Sequence, residues 1–147
     1  MVGALIKTGV IAELAEAVAA ATGGSLWVGS VLLLWVSGVL SAIVDNIPYV
    51  ATMAPVTATL VQDLGGDGDP TVLWWSLALG ADLGGNATAI SASANVVILG
   101  LAGRAGQPIS FLEFTCYGAV VAVATMLVCV PYLWLRYFAF TGPCRHR

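Results

Sequence analysis

Charge is what this sequence has least of. Five Lys and Arg and eight Asp and Glu among 147 residues leave it 9% charged, where a water-soluble domain carries about a quarter. Set beside 59% hydrophobic residues, that scarcity excludes a soluble globular domain and a disordered tail. The basic residues, Lys7, Arg104, Arg136, Arg145 and Arg147, form no patch, so nucleic acid is excluded as a partner. Cysteine is scarce too. Cys116, Cys129 and Cys144 have neither metal-site nor redox spacing and read as small apolar side chains, with no cofactor and no permanent metal expected. The solvent for most of the chain is lipid.

What the sequence does have is long apolar stretches. Charge-free runs cover residues 17–44, 46–62, 83–103 and 114–135. A spanning helix needs about 20 predominantly apolar residues, so a multi-pass integral protein of the cell membrane is expected. The opening Met1-Val-Gly-Ala-Leu-Ile reads as the end of a helix already under way, which makes a piece of a longer protein the expectation.

The fold class expected is an all-α membrane protein with four parts. Val10, Ile11, Leu14 and Val18 share one helical face opposite Glu13 and Glu16, which predicts an interfacial amphipathic helix over 10–22 ended by Gly23-Gly24, with a surface connector as the alternative. Residues 25–63 are almost wholly apolar, broken once at Asp45-Asn46-Ile47-Pro48. Two full spans would leave nothing for a turn, so a re-entrant helical hairpin with its tip at Pro48 and its neighbours fits better. Residues 71–103 are too long for one straight crossing. From Gly84 to Asn95 they hold one large apolar side chain, Ile90, which predicts a transmembrane helix broken around Gly84-Gly85 with a small, polar lining. Residues 111–137 form a terminal span. Trp74 and Trp75 at one end of a crossing and Tyr132, Trp134 and Tyr137 at the end of the next would share one interfacial belt. The acidic loop 63–69 points outside and Arg104 inside, whereas the tail arginines pull the C-terminus inward.

Two residues in these apolar segments demand an explanation, Asp45 and Asp82. A carboxylate at the bilayer centre costs at least about 2.5–3.5 kcal/mol and is a functional candidate by default; a shallow position or a structural pairing is the competing explanation. Asn86, Thr88, Ser91, Ser93 and Asn95 add short amide and hydroxyl side chains to a stretch whose unwound backbone can bind ions directly. Close helix packing explains Gly84 and the alanines but not two asparagines and a threonine beside Asp82. An echo joins the two breaks: Asp45-Asn46 before Thr52, and Asp82 with Asn86 before Thr88.

These stretches, Ser41-Ala-Ile-Val-Asp45-Asn46-Ile47-Pro48-Tyr-Val-Ala-Thr52-Met-Ala-Pro55-Val, Leu79-Gly-Ala-Asp82-Leu-Gly84-Gly85-Asn86-Ala-Thr88 and Ser91-Ala-Ser93-Ala-Asn95-Val-Val, resemble the ion transporter superfamily. The nearest branch holds arsenite permeases, NhaD-like transporters and the melanosomal P protein, with citrate and dicarboxylate carriers more distant. The resemblance extends to Ile109-Ser-Phe-Leu-Glu113-Phe and implies the C-terminal half of an inverted-repeat, citrate-transporter-like domain over residues 1–147. It also implies that a missing N-terminal repeat is a partner, that the C-terminus is outside, and that a homodimer can form. Dicarboxylate carriers have Ser-Asn-Thr at the tip where this chain has Asp45-Asn46-Ile47. An anionic tip repels a dicarboxylate.

The function expected is therefore a secondary active ion transporter working by alternating access. It would move a small inorganic ion such as arsenite or another anion, or exchange Na⁺ for H⁺. Asp45 and Asp82 would bind the coupling cation, Na⁺ or H⁺. Asn46, Thr52, Gly84, Gly85, Asn86, Thr88, Ser91, Ser93 and Asn95 would supply neutral ligands or open backbone, with a Na⁺ site at Asp45, Asn46, Asn86 and Thr88. The alternatives are an intramembrane aspartyl protease, whose Gly-x-Gly-Asp signature Leu79-Gly80-Ala81-Asp82 does not match, and a noncatalytic membrane interaction subunit.

Overall fold

The computed structural model describes residues 23–64 and 68–139; the helix expected over 10–22 lies outside them. The described residues are all-α. Five helices follow in order: α1 (Leu26–Ser41), α2 (Asn46–Leu64), α3 (Thr71–Gly84), α4 (Ser93–Arg104) and α5 (Phe111–Trp134), which runs on into a π turn at Leu135–Ala139.

Local chemistry sets the helix ends. Asp69 accepts a hydrogen bond from the Thr71 backbone N–H at 3.0 Å, satisfying one of the free donors at the start of α3. Gly106, at φ 79°, takes the left-handed conformation just past α4, where a side chain would be strained. The Gln107 N–H reaches back to the Ala102 carbonyl at 3.0 Å, which closes the helix end. Ser110 accepts from Glu113 N at 3.2 Å, half of a Ser-x-x-Glu capping box that opens α5. Pro55 lies inside α2 and Pro131 inside α5; each removes one helical N–H, and the looser π turn follows Pro131 within a turn.

The packing centres on α3, which lies against α1, α2 and α5. α1 and α3 run parallel and meet along small residues. A side chain at Gly80 would meet the Leu34 carbonyl at 2.5 Å and Ser37 Cβ at 2.7 Å. One at Gly84 would meet Gly38 Cα at 2.6 Å. Ser30, Ser37 and Ser41 on α1 and Ser76 on α3 are fully buried in the same region. Leu34 opposite Gly80 and Gly38 opposite Gly84 define one register, with small residues at every fourth position of α3 from Ser76. Such spacing lets two backbones approach closely where lipid provides no hydrophobic drive between helices. Leu33, Leu34, Leu60, Leu73, Leu77 and Leu133 fill the surrounding core.

α5 lies antiparallel to α1. Met126 covers Gly38, and Trp27 meets Phe138 edge-on with ring centroids 5.2 Å apart. At that same end Tyr137 lies beside Trp75 and the Arg136 guanidinium sits 5.5 Å from the Tyr137 ring centroid. In this register the turn after α1 falls near Ala122. At 1.5 Å per residue that is about 16 Å from the start of α5 and about 25 Å from Ala139.

Much of the surface is apolar. α4 buries only Asn95 and exposes Val96, Val97, Ile98 and Leu101. α5 exposes Leu112 (74%), Tyr117 (72%) and Val120 (69%). Contiguous apolar surface of this extent is costly in water and costs nothing in lipid. Residues 111–139 form the one described helix long and apolar enough to cross a membrane unaided.

Candidate ion site

The site is built where the α1–α2 turn meets the segment between α3 and α4. α1 ends at Ser41 and α2 begins at Asn46, so a four-residue turn carries Asp45. α3 ends at Gly84 and helix resumes at Ser93. Thr88 continues the α1–α3 register past the helix ends, opposite Ala42, and its hydroxyl donates to the Ala42 carbonyl at 2.7 Å.

Four side chains tie the junction together. The buried Ser41 hydroxyl faces two acceptors, Asn46 Oδ1 at 2.5 Å and the Ala81 carbonyl at 2.6 Å. The Asn46 amide lies flat against Gly85, where an added Cβ would meet Oδ1 at 2.8 Å and Nδ2 at 2.9 Å. Tyr49 OH donates to the Ser37 hydroxyl at 3.0 Å, holding α2 to α1 just beyond the turn. Turn and interhelical segment are thus one bonded unit. A hydroxyl that donates its proton keeps lone pairs free, so Thr88 and Ser41 can still offer oxygen to a cation.

The interhelical segment is braced from within. The Gly85 carbonyl accepts from Ser91 Oγ at 2.6 Å and from Asn95 Nδ2 at 2.9 Å. The Thr88 carbonyl accepts from the same two groups at 2.8 and 2.9 Å. Ser91 and Asn95 are buried, and these bonds satisfy carbonyls that no helix serves.

The remaining expected site residues are placed differently. Asp45, Pro48, Asp82, Asn86 and Ser93 are exposed. Among the described residues Asp45 Oδ1 accepts only from Ile47 N, at 3.5 Å, a long contact for this type of bond that doubles as a weak cap on α2. Thr52 is half-buried and donates to the Pro48 carbonyl at 2.8 Å within its own helix. No hydrogen bond joins Asp45 to Asp82. The spatial partner of Asn46 is Gly85 rather than Asn86, so the sequence echo between the two breaks is not the pairing in space.

Sequence reasoning missed Ser41, Ser37, Gly38, Gly80 and Tyr49. Four-residue spacing of small residues is present at Ser37/Ser41 and Ser76/Gly80/Gly84, but it does not say which helix they meet. Tyr49 carried no signal. A groove of about 590 Å³ along the outer face of α1, lined by Trp27, Val31, Trp35 and Val130 among others, is apolar and lies away from this junction.

Residues 1–80 match the family described as Citrate transporter. The chain belongs to the citrate transporter family. Its relatives agree: it is 58% identical over 138 residues to an uncharacterized transporter of Mycobacterium tuberculosis, covering 94% of this chain and 32% of that protein. It is 52% identical over 141 residues to a 46 kDa membrane protein of Mycobacterium leprae, covering 96% and 33%. It is 43% identical over 107 residues to the P protein of Mus musculus, covering 73% and 13%. The chain spans about a third of the length of the mycobacterial relatives it matches. No solved structure matches it. Membership of that family and a relative named a membrane protein agree with the wide apolar surface of the described residues.

Proposed function

We propose that this chain is the ion-binding half of a secondary active transporter that works by alternating access, with the α1–α2 turn and the α3–α4 interruption as its binding elements. The observation that carries it is the junction itself: Ser41 and Thr88 bond across two interruptions in apolar sequence, 40 and 46 residues apart, and the Asn46 amide packs on Gly85 between them. Packed α-helices in lipid have no need of such a junction; an ion pathway does. The turn lies near the middle of α5 by register, which supports a re-entrant hairpin over 25–63. The non-helical backbone between Gly84 and Ser93 supports a broken transmembrane helix over 71–103.

Asp45 and Asp82 carry the negative charge of the site, one at each interruption. Both are open to groups beyond the described residues, which supports a site completed by an inverted N-terminal repeat. Oxygen is the ligand type on offer, and hard monovalent cations or a proton suit it. The cargo proposed is a small inorganic ion such as arsenite or another anion, or Na⁺ exchanged for H⁺. Asp45 at the turn disfavours a dicarboxylate.

The test is transport by the full chain in proteoliposomes, comparing arsenite, Na⁺/H⁺ exchange and citrate. Asp45→Asn and Asp82→Asn should each abolish coupled transport with protein level unchanged. Parent-level transport by both variants would remove the carboxylates from the site.

A further inference from the structure

Most hydroxyls inside the helices of this protein bond to a carbonyl three or four residues back. Ser30, Thr52, Thr59, Ser76 and Thr125 all do so, to Trp27, Pro48, Pro55, Val72 and Val121. Thr57 and Thr115 depart from the rule: each Oγ1 is buried and has no partner among the described residues. A buried hydroxyl left unsatisfied costs about 1–3 kcal/mol, so each calls for an explanation.

Thr115 lies on α5, one turn before Gly118. A Cβ at Gly118 would collide with the Asn86 carbonyl and come within 3.0 Å of the Ala87 carbonyl. Two backbone oxygens of the α3–α4 interruption therefore press on α5 one turn, about 5 Å, from an orphaned hydroxyl. Asn46 covers Gly85 whereas Gly118 meets the next two carbonyls, and α5 belongs to neither binding element proposed above. Gly118 makes the approach possible, because any side chain there would push the segment off.

We infer that Thr115 Oγ1, with the backbone carbonyls of Asn86 and Ala87, forms a second cation position, for Na⁺, on the α5 side of the interruption. It rests on the ion-transport reading and adds α5 to the binding machinery. Three neutral oxygens suit a weakly charged hard cation, and unwound backbone carbonyls commonly serve Na⁺ in transporters. Gly118 is a positioning residue, and Thr115 is a ligand.

Thermal unfolding of the purified full chain, in NaCl against choline chloride at equal ionic strength, tests it. Na⁺ should raise the parent's Tm. Thr115→Val should unfold at or above the parent's Tm in choline, because it removes an orphaned hydroxyl, while its half-saturating Na⁺ concentration rises at least about 10-fold. Thr115→Ser, which keeps the oxygen, should stay within about 2-fold. Gly118→Ala should weaken the Na⁺ response as well. Thr57→Val serves as the control: that hydroxyl lies about 16 Å along α2 from the turn, and the variant should keep the parent's Na⁺ dependence.

Three results would overturn the inference: a parent Tm indifferent to Na⁺, a Thr115→Val variant with the parent's Na⁺ dependence, or a Thr115→Val variant destabilised equally in both salts, the sign of a bound water. Failure of Thr115→Val to fold would count with the third. A parent Tm indifferent to Na⁺ would also count against Na⁺ as the coupling ion; the transport reading itself stands or falls on coupled transport in the Asp45 and Asp82 variants.

Discussion

At the scale of single residues, two adjacent glycines separate stability from function. A methyl at Gly84 would run into the Gly38 backbone, which cannot yield, whereas one at Gly85 would meet the Asn46 side-chain amide first. Gly84→Ala should therefore lower stability by about 1–3 kcal/mol, the usual cost of overpacking, measured by unfolding in detergent. Gly85→Ala should leave stability within about 1 kcal/mol and turn Asn46 away, so that ion affinity falls while the protein still folds. Gly100, on the exposed side of α4 with nothing within 4 Å, gives the opposite sign: Gly100→Ala should stabilise α4 by about 0.5–1 kcal/mol. Asp45, Asn46, Asp82 and Thr88 were conspicuous in the sequence as polar groups in apolar runs. Their partners were not. Ser41 and Ser37 look like ordinary small residues until the register of two helices places them against Ala81 and Tyr49. Ser91 and Asn95, expected as ligands, donate to the carbonyls of Gly85 and Thr88, a bracing use that only the path of the backbone reveals.

At the scale of elements, length and interruption were the readable quantities. α1 has 16 residues and α3 has 14, about 24 and 21 Å, each short of the roughly 30 Å hydrocarbon core. That is why the apolar runs could be divided into helices with polar interruptions rather than into full spans. The parallel α1–α3 seam was not readable, since apolar periodicity reports which face is buried and not which helix covers it. Its consequence is testable. Gly80→Val puts a branched side chain against the Leu34 carbonyl and Ser37, and should lower Tm and reduce transport together, because the seam carries the register that brings Thr88 to Ala42. The same substitution at Gly103, where nothing lies within 4 Å, should leave transport unchanged. Trp27 against Phe138 and Tyr137 beside Trp75 gather aromatics at one end of the bundle, where an interfacial belt belongs.

At the scale of the whole molecule, the scarcity of charge and the wide apolar surface have one cause, a solvent of lipid. α4 and the outer face of α5 touch little else among the described residues, and Asp45 and Asp82 are exposed there. A protein about three times as long, like the mycobacterial relatives, has enough further chain to cover both. The central claim is that the junction of the α1–α2 turn with the α3–α4 interruption binds the transported or coupling ion. The most direct measurement is the ion-concentration dependence of transport in proteoliposomes for the full chain and its Asn46→Ala variant. Asn46 joins both halves of the junction, so the variant should need at least about 10-fold more ion for half-maximal rate and recover rate at saturation. An Asn46→Ala protein with the parent's ion dependence would contradict the account.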